Sequence, residues 1–64
     1  MNTAIHDGII VWNACGALAT RNGLKLTTIN GYQVMSADGV VLFGCNELSE
    51  LHAYLYGYDM RAGQ

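Results

Sequence analysis

Three dipeptides cut this chain at even intervals. Asn22-Gly23, Asn30-Gly31 and Asp38-Gly39 recur at a spacing of eight residues. Asn-Gly and Asp-Gly tolerate positive φ and punctuate regular elements. Each interval is the length of a short strand, so the middle of the chain is constrained to a tight meander. The strands are expected at 24–29, 32–36 and 40–44. Asn30-Gly31 is read as a two-residue loop of the type I′ kind. Ala37-Asp38-Gly39 fits a three-residue loop with glycine in the left-handed position.

The first Asn-Gly serves a helix instead. Placed on a helix, residues 8–22 gather Val11, Ala14, Cys15 and Leu18 at the centre of one face. Ile10, Trp12, Ala17 and Ala19 flank them, while Ile9, Asn13, Gly16 and Thr20 fall opposite. A period of two separates nothing, so the helical phase is preferred. A short strand at 8–12 is the alternative, because Ile9, Ile10 and Val11 are β-branched. Asp7 is the expected N-cap. Gly23 followed by Leu24 fits the closing pair of a Schellman motif.

The second helix is expected at 47–58, with Asn46 as N-cap and a frayed tail at 61–64. Leu48, Leu51, Tyr54, Leu55 and Tyr58 form its apolar stripe. Ser49, His52, Tyr56 and Asp59 are assigned to the opposite, exposed side. The fold class is therefore α+β, a single α-β-β-β-α domain with both helices on one face of a three-stranded antiparallel meander. This order is similar to that of double-stranded RNA-binding domains, in topology alone. Those domains set basic residues at the start of their second helix, where this chain has Glu47 and Glu50. RNA binding is not carried over.

The assumed loop lengths set a register, and the register sets the faces. Leu24, Leu26, Met35, Val41 and Phe43 are placed on one face. Ile29, Tyr32, Val34, Val40 and Leu42 are placed on the other, with Thr27 and Lys25 beside them. Two short-linked helices cover only one of them. The second face, together with Trp12 on the wide apolar arc of the first helix, is the expected self-association surface. A one-residue slip would exchange the faces.

Composition points the same way. The chain has 64 residues, of which 52% are hydrophobic and 12% charged. A domain this small buries only about 60% of its unfolded surface, so such apolar content calls for something to cover the excess. The net charge is −2. With no basic run to pair with phosphates, neither nucleic acid nor an anionic membrane is an expected partner.

Catalytic and metal chemistry is weakly supported. His6, Cys15, Cys45 and His52 are the soft ligands, and no pair has C-x-x-C or H-x-x-x-H spacing. Two cysteines do not make a disulfide framework, and both are expected as inert thiols in a reducing compartment. No cofactor, metal or enzymatic activity is expected. The expectation is a cytoplasmic, acidic accessory factor or inhibitor, of the kind phages often encode. It would act as a homodimer and bind a protein partner through Ser49, His52, Tyr56 and Asp59. The alternative is a small-molecule-binding protein or enzyme with a dimer-interface pocket lined by Trp12, Tyr32 and Tyr54.

Overall fold

The computed structural model describes residues 3–63, with side chains from position 8 onward. Its order is α1 Thr3–Arg21, β1 Lys25–Thr27, β2 Tyr32–Met35, β3 Val41–Cys45 and α2 Leu48–Ala62. The sheet is antiparallel in the order β1-β2-β3. Both helices pack against one side of it. The expected α-β-β-β-α architecture is therefore the observed one.

The helix ends follow local chemistry in one case and depart from it in two. Gly23 has φ +68°, Leu24 donates to the Ala19 carbonyl at 2.8 Å, and Gly23 donates to the Thr20 carbonyl at 3.2 Å. These are the paired bonds of a Schellman motif, and Leu24 drops into the core behind it. The start of α1 differs from the expectation. The helix begins at Thr3, so position 7 is interior backbone and Asp7 is not its N-cap. Nor does α2 start at an Asn46 cap. Glu47 is the N-cap, in extended conformation and without a side-chain capping bond. The helix also runs through Gly57 to Ala62, past its expected end. One interior glycine costs about 1 kcal/mol relative to alanine, less than burying Leu51 and Leu55 returns.

The first hairpin is slipped by one residue from the expected register. Leu26 pairs with Val34 and Thr27 with Gln33. A type I′ turn needs positive φ at both central residues, yet no described non-glycine residue has it. Gly31 alone is left-handed, at φ +71°. The loop is thus three residues, 29–31, closed by a left-handed glycine like the loop at 37–39. The second hairpin starts as expected, with Ser36 donating to the Val40 carbonyl at 2.8 Å and Met35 opposite Val41. A bulge then leaves Leu42 without a partner and pairs Val34 with Phe43.

Slip and bulge together place Leu26, Val34 and Phe43 in one row across the sheet, with Tyr32 beside Cys45. This face meets the helices. Val34, Leu51, Leu55 and Cys15 are fully buried, Ala19 and Leu24 nearly so. The small Cys15 and Ala19 on α1 accommodate the two leucines of α2. Val34 and Tyr32 therefore belong to the covered face, not to the exposed one assigned from sequence.

The outer face carries two cross-strand rows, Lys25–Met35–Val41 and Thr27–Gln33–Gly44. Thr27 donates to the Gln33 amide oxygen at 3.4 Å. The expected membership of the second face is corrected accordingly: Met35 and Val41 lie on it, and Tyr32 and Val34 do not. That face is polar toward β1 and apolar only toward the second hairpin. The described residues span 39 × 27 × 15 Å, a thickness of one sheet and one helix layer.

Candidate interaction surfaces

Among the described residues, three surfaces hold all the large exposed apolar side chains but Ile10. The first is the second hairpin, where Val40, Val41 and Leu42 are 59%, 52% and 41% exposed. A bulge directs successive residues away from the ladder, which is why adjacent Val41 and Leu42 both face solvent. Sequence reasoning found Val40 and Leu42. It placed Val41 inside because the slip of the first hairpin, which carries Met35 and its partner Val41 to the outer face, was not foreseen.

The second surface is the exposed side of α2. Ser49, Tyr56 and Met60 lie along it, Tyr56 and Met60 each 55% exposed. His52 is half-buried at its edge, with its ring 6.1 Å from that of Tyr56. Met60 was not singled out from the sequence, although its four-residue step from Tyr56 was a visible signal.

Asp59 does not belong with this group. It sits four residues beyond Leu55, at the margin of the buried stripe, and faces the end of α1. Its Oδ1 accepts a hydrogen bond from Asn22 Nδ2 at 3.0 Å and lies 3.3 Å from Arg21 Nε. Asn22 Nδ2 also donates to the Leu18 carbonyl at 2.8 Å. Asp59 is thus a structural clamp between the helices.

The third surface is a groove of about 410 Å³ between the first half of α1, the β1–β2 loop and the start of α2. Gly8, Ile9, Trp12, Thr28, Tyr32 and Leu48 line it. Trp12 and Tyr32 form its aromatic wall, with ring centroids 5.8 Å apart and planes tilted by 43°. Ile9 is 55% exposed at the rim, and Ile29, next to Thr28, is 83% exposed. The expected pocket residues Trp12 and Tyr32 are brought together here. Tyr54 is not. It stacks on Phe43 at 4.3 Å, nearly parallel at 6°.

Among the nucleophilic and metal-ligating residues with described side chains, Cys15 and Cys45 are neighbours. Cys45 Sγ donates to the Glu47 carbonyl at 3.3 Å, and His52 packs on Tyr56. Cys15 lies in the core, where burial and then the neighbouring Cys45 push its thiol pKa up. Both thiols are free. No group of three His, Cys, Asp or Glu among the described residues is placed to hold a metal ion. His6 lies outside the described side chains. No helix among the described residues is long and apolar enough to cross a membrane. Compared with known protein families, curated proteins and solved structures, the chain has no significant match.

Proposed function

We propose that this chain is a non-catalytic protein-binding module, an accessory factor or inhibitor, that works as a homodimer in the cytoplasm. The supporting observation is the amount of large apolar side chain left in solvent. Ile9, Ile10, Ile29, Val40, Val41, Tyr56 and Met60 are each more than half exposed, on a chain with only three Lys and Arg residues. Each large side chain left in water forgoes about 1.5–3 kcal/mol of burial. Contiguous patches of this kind mark interaction sites.

The division of labour follows from position. The apolar surfaces on α1 and the β1–β2 loop serve self-association, and the Ser49–His52–Tyr56–Met60 side of α2 meets the partner. A tyrosine with an apolar body and a polar tip is a common interface anchor. The acidic Glu47 and Glu50 at the start of α2 favour a basic rim on that partner. The balance of charge argues against nucleic acid and anionic lipid.

Light scattering across a micromolar range tests the dimer, and capture from the native host tests the partner. A stable dimer whose Tyr56→Ala variant stays dimeric but loses the captured protein is the expected result. A monomer that captures nothing would reject the proposal.

A second reading has one observation behind it, the groove between Trp12 and Tyr32. Its volume lies within the range of small-molecule pockets, roughly 300–1,000 Å³. Among the described lining residues, the polar groups are the Thr28 and Tyr32 hydroxyls and the Trp12 indole N–H, few for orienting a substrate. Titration with small aromatic compounds, followed by tryptophan fluorescence, tests it. Saturable quenching would favour it over the first reading.

A further inference from the structure

We infer that the dimer forms by reciprocal insertion, the Ile29 side chain of each copy seating in the Trp12–Tyr32 groove of the other. This inference rests on the homodimer reading and specifies its surface.

A two-fold interface uses the same patch on both subunits, so the patch must contain both a feature and its complement. The groove end has both, side by side. Thr28 lines the groove and the next residue, Ile29, stands 83% exposed at the tip of the β1–β2 loop. A left-handed glycine at position 31 closes that loop tightly, so the knob is presented on a short turn. The groove, at about 410 Å³, is larger than one isoleucine side chain. The second hairpin lacks such a complement. Its bulge turns the edge aside.

Charge and area fit a second copy. All six described lining residues are uncharged, as are Ile29 and Asn30. Among the described residues, two chains of net charge −2 therefore bring no like charges from their groove linings. A stable dimer buries about 800 Å² per partner, close to a fifth of the 4411 Å² surface. One knob is far too small for that. The contact therefore takes in two knobs, the walls of two grooves and the exposed Ile9 on each rim.

The test compares dimer dissociation constants by light scattering and sedimentation for Ile29→Asp, Gly8→Leu and the control Val41→Thr. Ile29 is a loop residue with little burial to lose, so its substitution leaves the fold intact. A Cβ at Gly8 meets nothing within 4 Å, so leucine fills the groove without a clash and favours the helix. Losing one buried isoleucine is worth at least about tenfold, and a symmetric dimer loses two. Ile29→Asp should weaken association by about 100-fold or more, Gly8→Leu by a clear margin, and Val41→Thr hardly at all. Trp12 is the single tryptophan, and its emission should shift to the red as wild type dissociates on dilution.

Dimers that persist in both Ile29→Asp and Gly8→Leu would overturn the insertion while leaving the homodimer reading standing. Loss of the dimer in Ile29→Asp alone would overturn the groove as the seat. A wild type that is monomeric at every concentration would overturn both the insertion and the homodimer reading.

Discussion

Asn22 and Asp59, 37 residues apart, are joined by a 3.0 Å hydrogen bond that ties the end of α1 to the last turns of α2. Asn22 also bonds the Leu18 carbonyl, so one amide closes a helix end and crosses to the second helix. Arg21 lies near the same carboxylate, but its side chain is 70% exposed, against 20% for Asp59. An ion pair so open to solvent adds little. The bond from Asn22 is the stronger link, because hydrogen bonds to charged groups contribute about 1.5–3 kcal/mol. Asp59→Ala is therefore expected to destabilise by about 1–2 kcal/mol, and Arg21→Ala by less than about 0.5 kcal/mol. Urea unfolding of both variants measures the difference. Equal losses would shift the weight to the ion pair.

Gly31 is the glycine least open to substitution. It has φ +71°, and a Cβ there would lie 2.6 Å from the Cys45 carbonyl oxygen and 2.7 Å from Asn46 Oδ1. Gly39 has φ +89° but open space around it. Left-handed backbone costs a non-glycine residue roughly 1–2 kcal/mol. Gly39→Ala is expected to show that cost alone. Gly31→Ala adds a collision with backbone and should exceed it by at least about 1 kcal/mol. Thermal unfolding separates them, since each kcal/mol moves Tm by about 4–8 °C in a domain of this size.

The same turn shows where the sequence was legible and where it was not. Asn30-Gly31 announced a hairpin, and the hairpin is there. It did not announce which hairpin, since a two-residue loop and a three-residue loop closed by glycine use the same dipeptide. The choice depends on which register puts Leu26, Val34 and Phe43 in one row under Leu51 and Leu55. That is a packing decision made across three strands and a helix. The bulge at Leu42 has the same origin, because it returns Phe43 to the covered face. One residue of slip moved Val34 from the expected outer surface to full burial. Asp59 was assigned to the exposed side of α2 for a related reason. Position 59 lies at the border of the α2 stripe, and its partner on α1 is visible only once the helices are packed. The Schellman motif after α1, by contrast, is local chemistry and was fully legible.

Phe43 and Tyr54 offer a test of that packing row. Their rings stack at 4.3 Å and 6°, joining β3 to α2. Such pairs contribute about 0.5–1.5 kcal/mol beyond the area they bury. A double-mutant cycle with Phe43→Leu and Tyr54→Leu should return a coupling in that range. Coupling near zero would mean that the two rings merely fill space.

Cys15 makes the fold sensitive to high pH. Burial first, then the nearby Cys45, raises its thiol pKa above the ordinary value of about 9. The folded state therefore holds this proton to higher pH than the unfolded chain does. Where the unfolded chain has lost the proton and the folded one has kept it, raising the pH favours unfolding. The Cys15 contribution is complete below pH 9 and falls away as pH climbs from there through the folded-state value. Cys15→Ala should remove that part of the decline, though it also loses a sulfur from a fully buried site, so its stability at neutral pH drops. The slope of stability against pH between about 9 and 11 is thus the measurement, not the absolute value. A slope that is unchanged in Cys15→Ala would place the alkaline sensitivity elsewhere. Thiol labelling at neutral pH gives an independent check. Half-buried Cys45 should react in the native state, whereas Cys15 should react only at the rate of unfolding.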